Sequence, residues 1–120
     1  MGIIILRMAT TSTDWKAEYQ SEIDMAEASR LAGNEGRARV CARRAAGIVV
    51  GEYFRFHGIE CRSASAYDRL KMLLMLPDIP SSARRAAELL LLKVQEDYTL
   101  PVEADLIAEA RSLRQTLLKE

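Results

Sequence analysis

One uninterrupted stretch decides the fold: Asn34-Glu-Gly-Arg-Ala-Arg-Val-Cys-Ala-Arg-Arg-Ala-Ala-Gly-Ile-Val-Val-Gly-Glu-Tyr-Phe-Arg-Phe-His57. It contains no proline, and Asn34 can cap a helix by accepting a hydrogen bond from the first free amides. At 100° per residue, a set of apolar side chains shares one stripe, which predicts the buried face of a long helix. The members of this first stripe are Ala38, Ala42, Ala45, Val49, Tyr53 and Phe56.

A second apolar stripe runs along the opposite side of the same helix. Val40, Gly47 and Phe54 are spaced by seven, and Gly51 lies one turn after Gly47. A helix with two apolar stripes packs against two partners. The pattern favours a central helix of one bundle. The alternative is a homodimer interface that contains Val40, Gly47, Gly51 and Phe54.

Two rows of arginines flank these stripes and form a candidate site for an anion or a nucleotide. Guanidinium groups bind phosphate through paired hydrogen bonds. The alternative is that they form ion pairs with acids of the first helix, such as Glu18 or Glu22, because surface charges often carry no function. The candidate set is Arg37, Arg44 and Arg55 in one row, Arg39 and Arg43 in the other, and His57 at the helix end.

The residues before this stretch predict a second amphipathic helix. Trp15, Tyr19, Ile23 and Ala26 recur at helical spacing, and Gly33 is a suitable C-terminal stop. The loop between the two helices is then only two or three residues long. A loop of that length predicts an antiparallel pair.

The residues after it carry further helix signals. Ser65 and Asp68 form a capping box, Ser81 or Ser82 can cap the next helix, and Pro101 suits the first turn of the last one. No strand signal of weight occurs outside the N-terminal tail. We therefore predict an all-α, up-and-down bundle of four to five helices, at about 13–32, 35–57, 66–76, 82–98 and 102–118.

Length and composition set the domain organisation. A chain of 120 residues is long enough for one domain with a real core. We expect a loosely ordered tail over residues 1–12 and a single helical domain over 13–120. Two cysteines without a disulfide pattern favour a reducing, cytoplasmic compartment. No apolar run approaches the roughly 20 residues that would span a membrane.

The charge balance bears on partners. The formal net charge is zero, so no overall field attracts nucleic acid or anionic lipid. Basic residues nevertheless exceed acidic ones in 30–71, while both flanking parts are acidic. Salt bridges between neighbouring helices explain this asymmetry most simply. A protein partner, a nucleotide and a nucleic acid all stay open as partners, and a membrane does not.

The residues that could carry chemistry are few. His57 is the only histidine, and a dyad would need Cys41 or Cys61 as its nucleophile. A metal site from His57, Glu60 and Cys61 has too few ligands, and no phosphate-binding glycine loop is present. We therefore predict no catalytic residue, no metal and no cofactor, and place His57 at a helix end.

Taken together, three features resemble the HEPN superfamily (higher eukaryotes and prokaryotes nucleotide-binding) of small helical bundles. They are the opening helix from Trp15 to Leu31, the long small-residue helix from Ala38 to Gly58, and the sequence Tyr98-Thr-Leu-Pro101 before the last helix. The resemblance covers about residues 13–118. It implies a helical bundle that dimerises, and either a ribonuclease or a partner of nucleotidyltransferases.

The ribonuclease motif of that superfamily, Arg-x(4–6)-His, is missing here. With His57 as its histidine, the arginine would stand at a position held by Val50, Gly51 or Glu52. We therefore expect a non-catalytic, homodimeric binding or assembly module, accessory to a partner that handles nucleotides or nucleic acid. The alternatives are a divergent ribonuclease or toxin that uses the arginine rows and His57, and a structural adaptor for a protein partner.

Overall fold

The computed structural model describes the backbone of residues 2–92 and 104–120, and the side chains of residues 14–92 and 104–120. In these ranges the chain is helical and has no strand, which confirms the all-α bundle. The last helix continues into a π-helical turn, Arg114–Leu118. The helices are α1 (Gly2–Leu31), α2 (Glu35–Phe56), α3 (Ala66–Leu74), α4 (Ser81–Leu90) and α5 (Leu106–Leu113).

The antiparallel pair α1–α2 is joined by the short turn that the sequence predicts. Gly33 adopts φ +79°, a left-handed conformation that a residue with a Cβ rarely takes. The Asn34 side chain caps α2 by accepting a hydrogen bond from the Arg37 amide at 3.1 Å. At the other end, Gly58 (φ +67°) lets the Ile59 amide reach back to the Phe54 carbonyl at 2.8 Å.

α2 is the central helix, because it is buried on two sides and packs against α1, α3 and α5. Its first stripe is buried as predicted from Ala38 to Val49, and Tyr53 is partly buried. Phe56 departs from the prediction, since its side chain is 77% exposed. It is the last residue of α2.

Helix α1 begins at Gly2, earlier than the predicted start at 13. No proline or glycine interrupts the sequence between residues 3 and 31, so nothing local ends the helix near Thr13. The side chains of residues 1–13 lie outside the described ones. The division into a tail over 1–12 and a domain over 13–120 therefore stays a prediction.

Three predicted helix ends are corrected. α4 begins after Pro80, whose backbone is extended and whose side chain makes no cap bond, instead of after a capping serine. α4 ends at Leu90, and the predicted continuation to 98 lies beyond Leu92, outside the described residues. α5 begins at Leu106, not at 102, because Asp105 caps it by accepting hydrogen bonds from the amides of Ile107 and Ala108.

The apolar core lies between α1, α2, α4 and α5, with α3 closing one side. Its largest fully buried side chains include Phe54, Ile23, Leu70 and Leu90. No helix among the described residues combines the length and the apolar character that crossing a membrane requires.

Candidate functional site

The first arginine row does not form one site. Arg37 and Arg55 are 18 residues apart on one helix, a separation of about 27 Å along its axis. Arg37 is exposed and donates to the Met25 sulfur at 3.6 Å. Arg55 pairs with Glu52 through its Nε at 2.9 Å and its Nη2, and this hydrogen-bonded pairing raises the pKa of Arg55. Arg44 is exposed between them.

In the second row, Arg43 binds backbone carbonyls of another helix. Arg43 is half-buried, and it donates from Nε to the Leu90 carbonyl at 2.6 Å and from Nη2 to the Leu92 carbonyl at 2.8 Å. Burial, followed by the charge of neighbouring Arg39, lowers the pKa of Arg43. Its guanidinium therefore caps the C-terminal end of α4. The six predicted anion-binding residues are not brought together.

Two further arginines, which the sequence analysis did not single out, also donate to backbone carbonyls: Arg84 at a helix end, and Arg69 at the contact between α2 and the connector before α3. Arg84 donates to the carbonyls of Leu74 and Leu76, both at 2.9 Å, at the end of α3. Arg69 donates to the Ser63 carbonyl at 3.0 Å and to the Gly47 carbonyl at 3.1 Å. Helices α3 and α4 lack a glycine at their ends, so their last carbonyls need other donors. That lack is the sequence signal that could have indicated the contacts of Arg43 and Arg84.

The second stripe of α2 is covered within the chain by α3. A Cβ added to Gly47 would lie 2.6 Å from the Ala66 Cβ, and one added to Gly51 would lie 2.5 Å from the Arg69 guanidinium. Phe54 is 1% exposed. Of the four residues predicted for a homodimer interface, only Val40 is exposed, at 43%. The close helix approach inferred from the glycines is thus an approach of α3.

Among the described residues, a concavity lies at one end of the bundle. We call it the end pocket. It forms where the Trp15 turn of α1, the last turn of α2 and the C-terminal residues meet, and it opens to solvent. Its volume is about 650 Å³. The lining residues are Trp15, Lys16, Glu52, Arg55, Phe56, His57, Leu117, Leu118, Lys119 and Glu120.

Aromatic rings dominate one wall of the end pocket. The His57 ring lies 4.3 Å from the Tyr53 ring and 5.4 Å from the Phe56 ring, between centroids. Trp15 of α1 also lines the pocket. The Arg114 guanidinium forms cation–π contacts with two rings, at 5.1 Å from the Trp15 centroid and 4.7 Å from the Tyr19 centroid. Trp15 is therefore positioned by packing, whereas Phe56 is open to solvent.

Charged side chains also line the end pocket. Lys16 of α1 and Glu120 form an ion pair at 2.8 Å, and the Lys16 hydrogen bond holds the pKa of Glu120 below its usual value. Arg55 and Glu52 form the second pair. Lys119 stands beside them with a left-handed backbone, φ 57°. Of the predicted anion-binding residues, only Arg55 and His57 line this pocket.

Among the described residues that line the end pocket, none is a cysteine, a serine or a threonine. Cys41 is buried in α2, about 24 Å along the helix axis from His57, and burial raises the pKa of its thiol. Cys61 donates to the Ser63 carbonyl at 3.7 Å. Among the described residues, no group of three or more His, Cys, Asp or Glu side chains could hold a metal ion.

Comparison with known proteins adds no relative to this picture. No family model matches the chain, and no curated protein or solved structure matches it either.

Proposed function

We propose that this protein is a non-catalytic, HEPN-like binding and assembly module, and that the end pocket is its binding site. Phe56 carries the proposal, since a 77% exposed aromatic ring forms part of the wall of a pocket of about 650 Å³. Ligand sites are concave, mostly apolar, and edged by a few polar groups. Covering a fully exposed phenylalanine gains roughly 1.5–3 kcal/mol, so an occupant that contacts Phe56 is favoured.

The positions of the cations support binding over catalysis. Arg43 holds the end of α4, and Arg55 is paired with Glu52. The alternative, a divergent ribonuclease, draws on the fact that Arg55 and His57 line the same pocket. Cleavage of a fluorogenic RNA by the wild type, lost in His57→Ala, would favour that alternative instead.

A neutral fluorescent probe tests the pocket. N-phenyl-1-naphthylamine is expected to bind the wild-type protein saturably, with a rise in its emission. Phe56→Glu places a carboxylate in the apolar wall and should weaken binding about tenfold or more, the equivalent of about 1.4 kcal/mol.

Leu31→Glu is the matched control, because Leu31 is 90% exposed at the far end of α1. It should bind the probe like the wild type. Equal binding by wild type and Phe56→Glu, with both folded by circular dichroism, would place the binding site elsewhere.

The homodimer belongs to the same proposal. Because α3 packs over Gly47 and Gly51, and Phe54 is buried within one chain, Val40 is the residue of the predicted interface that a second copy can still reach. Pairing there would appear as intermolecular NOEs to the Val40 methyl groups in a sample of mixed isotope labelling. If light scattering shows a dimer and no such NOEs occur, the interface is on another face. The free thiols of Cys41 and Cys61 support a reducing, cytoplasmic location.

A further inference from the structure

The first turns of α1 run past the end of the bundle. Because α1 and α2 are antiparallel and α2 has 22 residues, its last residue, Phe56, lies level with about residue 10 of α1. The last helix ends beside α1 at Lys16, which pairs with Glu120 at 2.8 Å. Residues 2–9, which we call the overhang, therefore extend about 12 Å beyond both of these neighbouring helices.

The segment between Leu92 and Asp105 is too short to cover the overhang from the same chain. Its two ends are held farther along α1, since the Leu92 carbonyl binds Arg43, which lies level with about Ile23, and Asp105 pairs with Arg30. A path from these two points to the middle of the overhang measures about 60 Å at 1.5 Å per residue. A segment of this length spans at most about 47 Å.

The sequence makes the overhang apolar on every side. Ile3, Ile4, Ile5 and Leu6 are consecutive, and consecutive helical positions lie 100° apart, so these four go round the whole helix. Arg7 is the only charged residue of the overhang. A helix that is apolar all round is normally buried. Since no described helix of the same chain lies level with these four positions, their neighbour comes from outside the chain.

A second apolar surface stands at the same end of the bundle. Phe56 is 77% exposed and lies at the foot of the overhang. A twofold axis at this end would pair the overhangs of two copies side by side and antiparallel, and the tip of each would then reach Phe56 of the other copy. One symmetric contact thus covers the overhang and Phe56 in both copies.

We propose that the overhangs of two copies pair in this way, so that the Ile3–Leu6 turn of each copy covers Phe56 of the other. The proposal rests on the homodimer of the proposed function and gives it an interface other than Val40. Each copy contributes about eight residues and Phe56, against about 20–30 per side in a standard interface. The dimer is therefore weak, and its population depends on concentration.

Ile4→Glu tests the pairing by sedimentation equilibrium over a range of concentrations. A carboxylate in the apolar contact is expected to raise the dissociation constant of the dimer about tenfold or more. The helix itself should persist, because a negative charge is favourable near a helix N-terminus. Leu31→Glu is the matched control, since it makes a similar change on the same helix at a residue that is 90% exposed at the other end. It should dimerise like the wild type, with all three proteins folded by circular dichroism.

NOEs locate the contact. In a sample of mixed isotope labelling, the Ile3 methyl groups should give intermolecular NOEs to the Phe56 ring, because within one chain the two residues lie about 10 Å apart along α1. A dimer without these NOEs, or an Ile4→Glu protein that dimerises like the wild type, would overturn the proposal and leave the homodimer standing.

A wild type that stays monomeric up to about 1 mM would overturn the proposal and the homodimer together. If that monomer also sediments with neutral phosphatidylcholine vesicles, the overhang contacts lipid and not a second copy. Saturable binding of N-phenyl-1-naphthylamine by the same monomer would leave the end pocket a binding site.

Discussion

Replacing Phe54 with glutamate is expected to abolish cooperative folding. Phe54 is 1% exposed and is among the largest fully buried side chains of the core. Removing a buried phenylalanine side chain alone costs about 3–5 kcal/mol, and a carboxylate left in its place adds the cost of burying a charge. Total stabilities of such domains are only about 5–15 kcal/mol. Urea unfolding followed by circular dichroism should therefore show little or no native baseline.

Phe56→Glu is the matched control for Phe54→Glu. It makes the same chemical change two residues away, at a side chain that is 77% exposed. Its effect on the free energy of unfolding should stay within about 0.5 kcal/mol, as for other surface substitutions. If Phe54→Glu gave a folded monomer instead, Phe54 would have to lie at a subunit interface and not in the core of one chain.

Replacing Gly47 with alanine is expected to destabilise the protein, although alanine is the better helix former. The added methyl would lie 2.6 Å from the Ala66 Cβ and 2.7 Å from the Ala66 Cα, so the backbone of α3 must move. Overpacking of this kind costs about 1–3 kcal/mol. Gly47→Leu should cost more. The measurement is the free energy of unfolding in urea.

Gly36→Ala is the opposite case on the same helix. The nearest atom to an added Cβ there is the Asn34 Oδ1 at 3.9 Å, so alanine should gain up to about 1 kcal/mol from its helix propensity. Gly51→Ala should fall between the two, because its Cβ would meet the movable guanidinium of Arg69. A Gly47→Ala protein as stable as Gly36→Ala would show that α3 does not pack on Gly47.

The local features of the fold could be predicted from the sequence. Asn34 and Ser65 cap their helices as expected, because a cap depends on residues only two or three positions away. The glycine turns at Gly33 and Gly58 also follow from local backbone preference. The periodicity of α2 correctly predicted a helix buried on two sides.

Nonlocal partners could not be predicted in the same way. The charge of Arg43 suggested an anion site, but its acceptors are carbonyls 47 and 49 residues away. The spacing of Phe56 placed it on the buried stripe, and periodicity does not show where the neighbouring helices end. The end pocket combines Trp15, Phe56 and Leu117, which are far apart in the chain and share no motif.

The most direct measurement concerns the contact between Gly47 and Ala66, because it decides whether α3 covers the second stripe of α2 within one chain. A sample refolded from equal parts of ¹³C,¹⁵N-labelled and unlabelled protein distinguishes NOEs within a chain from NOEs between chains. We predict an NOE from the Gly47 α-protons to the Ala66 methyl in the edited spectrum, and none in the isotope-filtered spectrum. The same NOE in the filtered spectrum would mean that α3 comes from a second copy, so that the Gly47 stripe is a subunit interface after all.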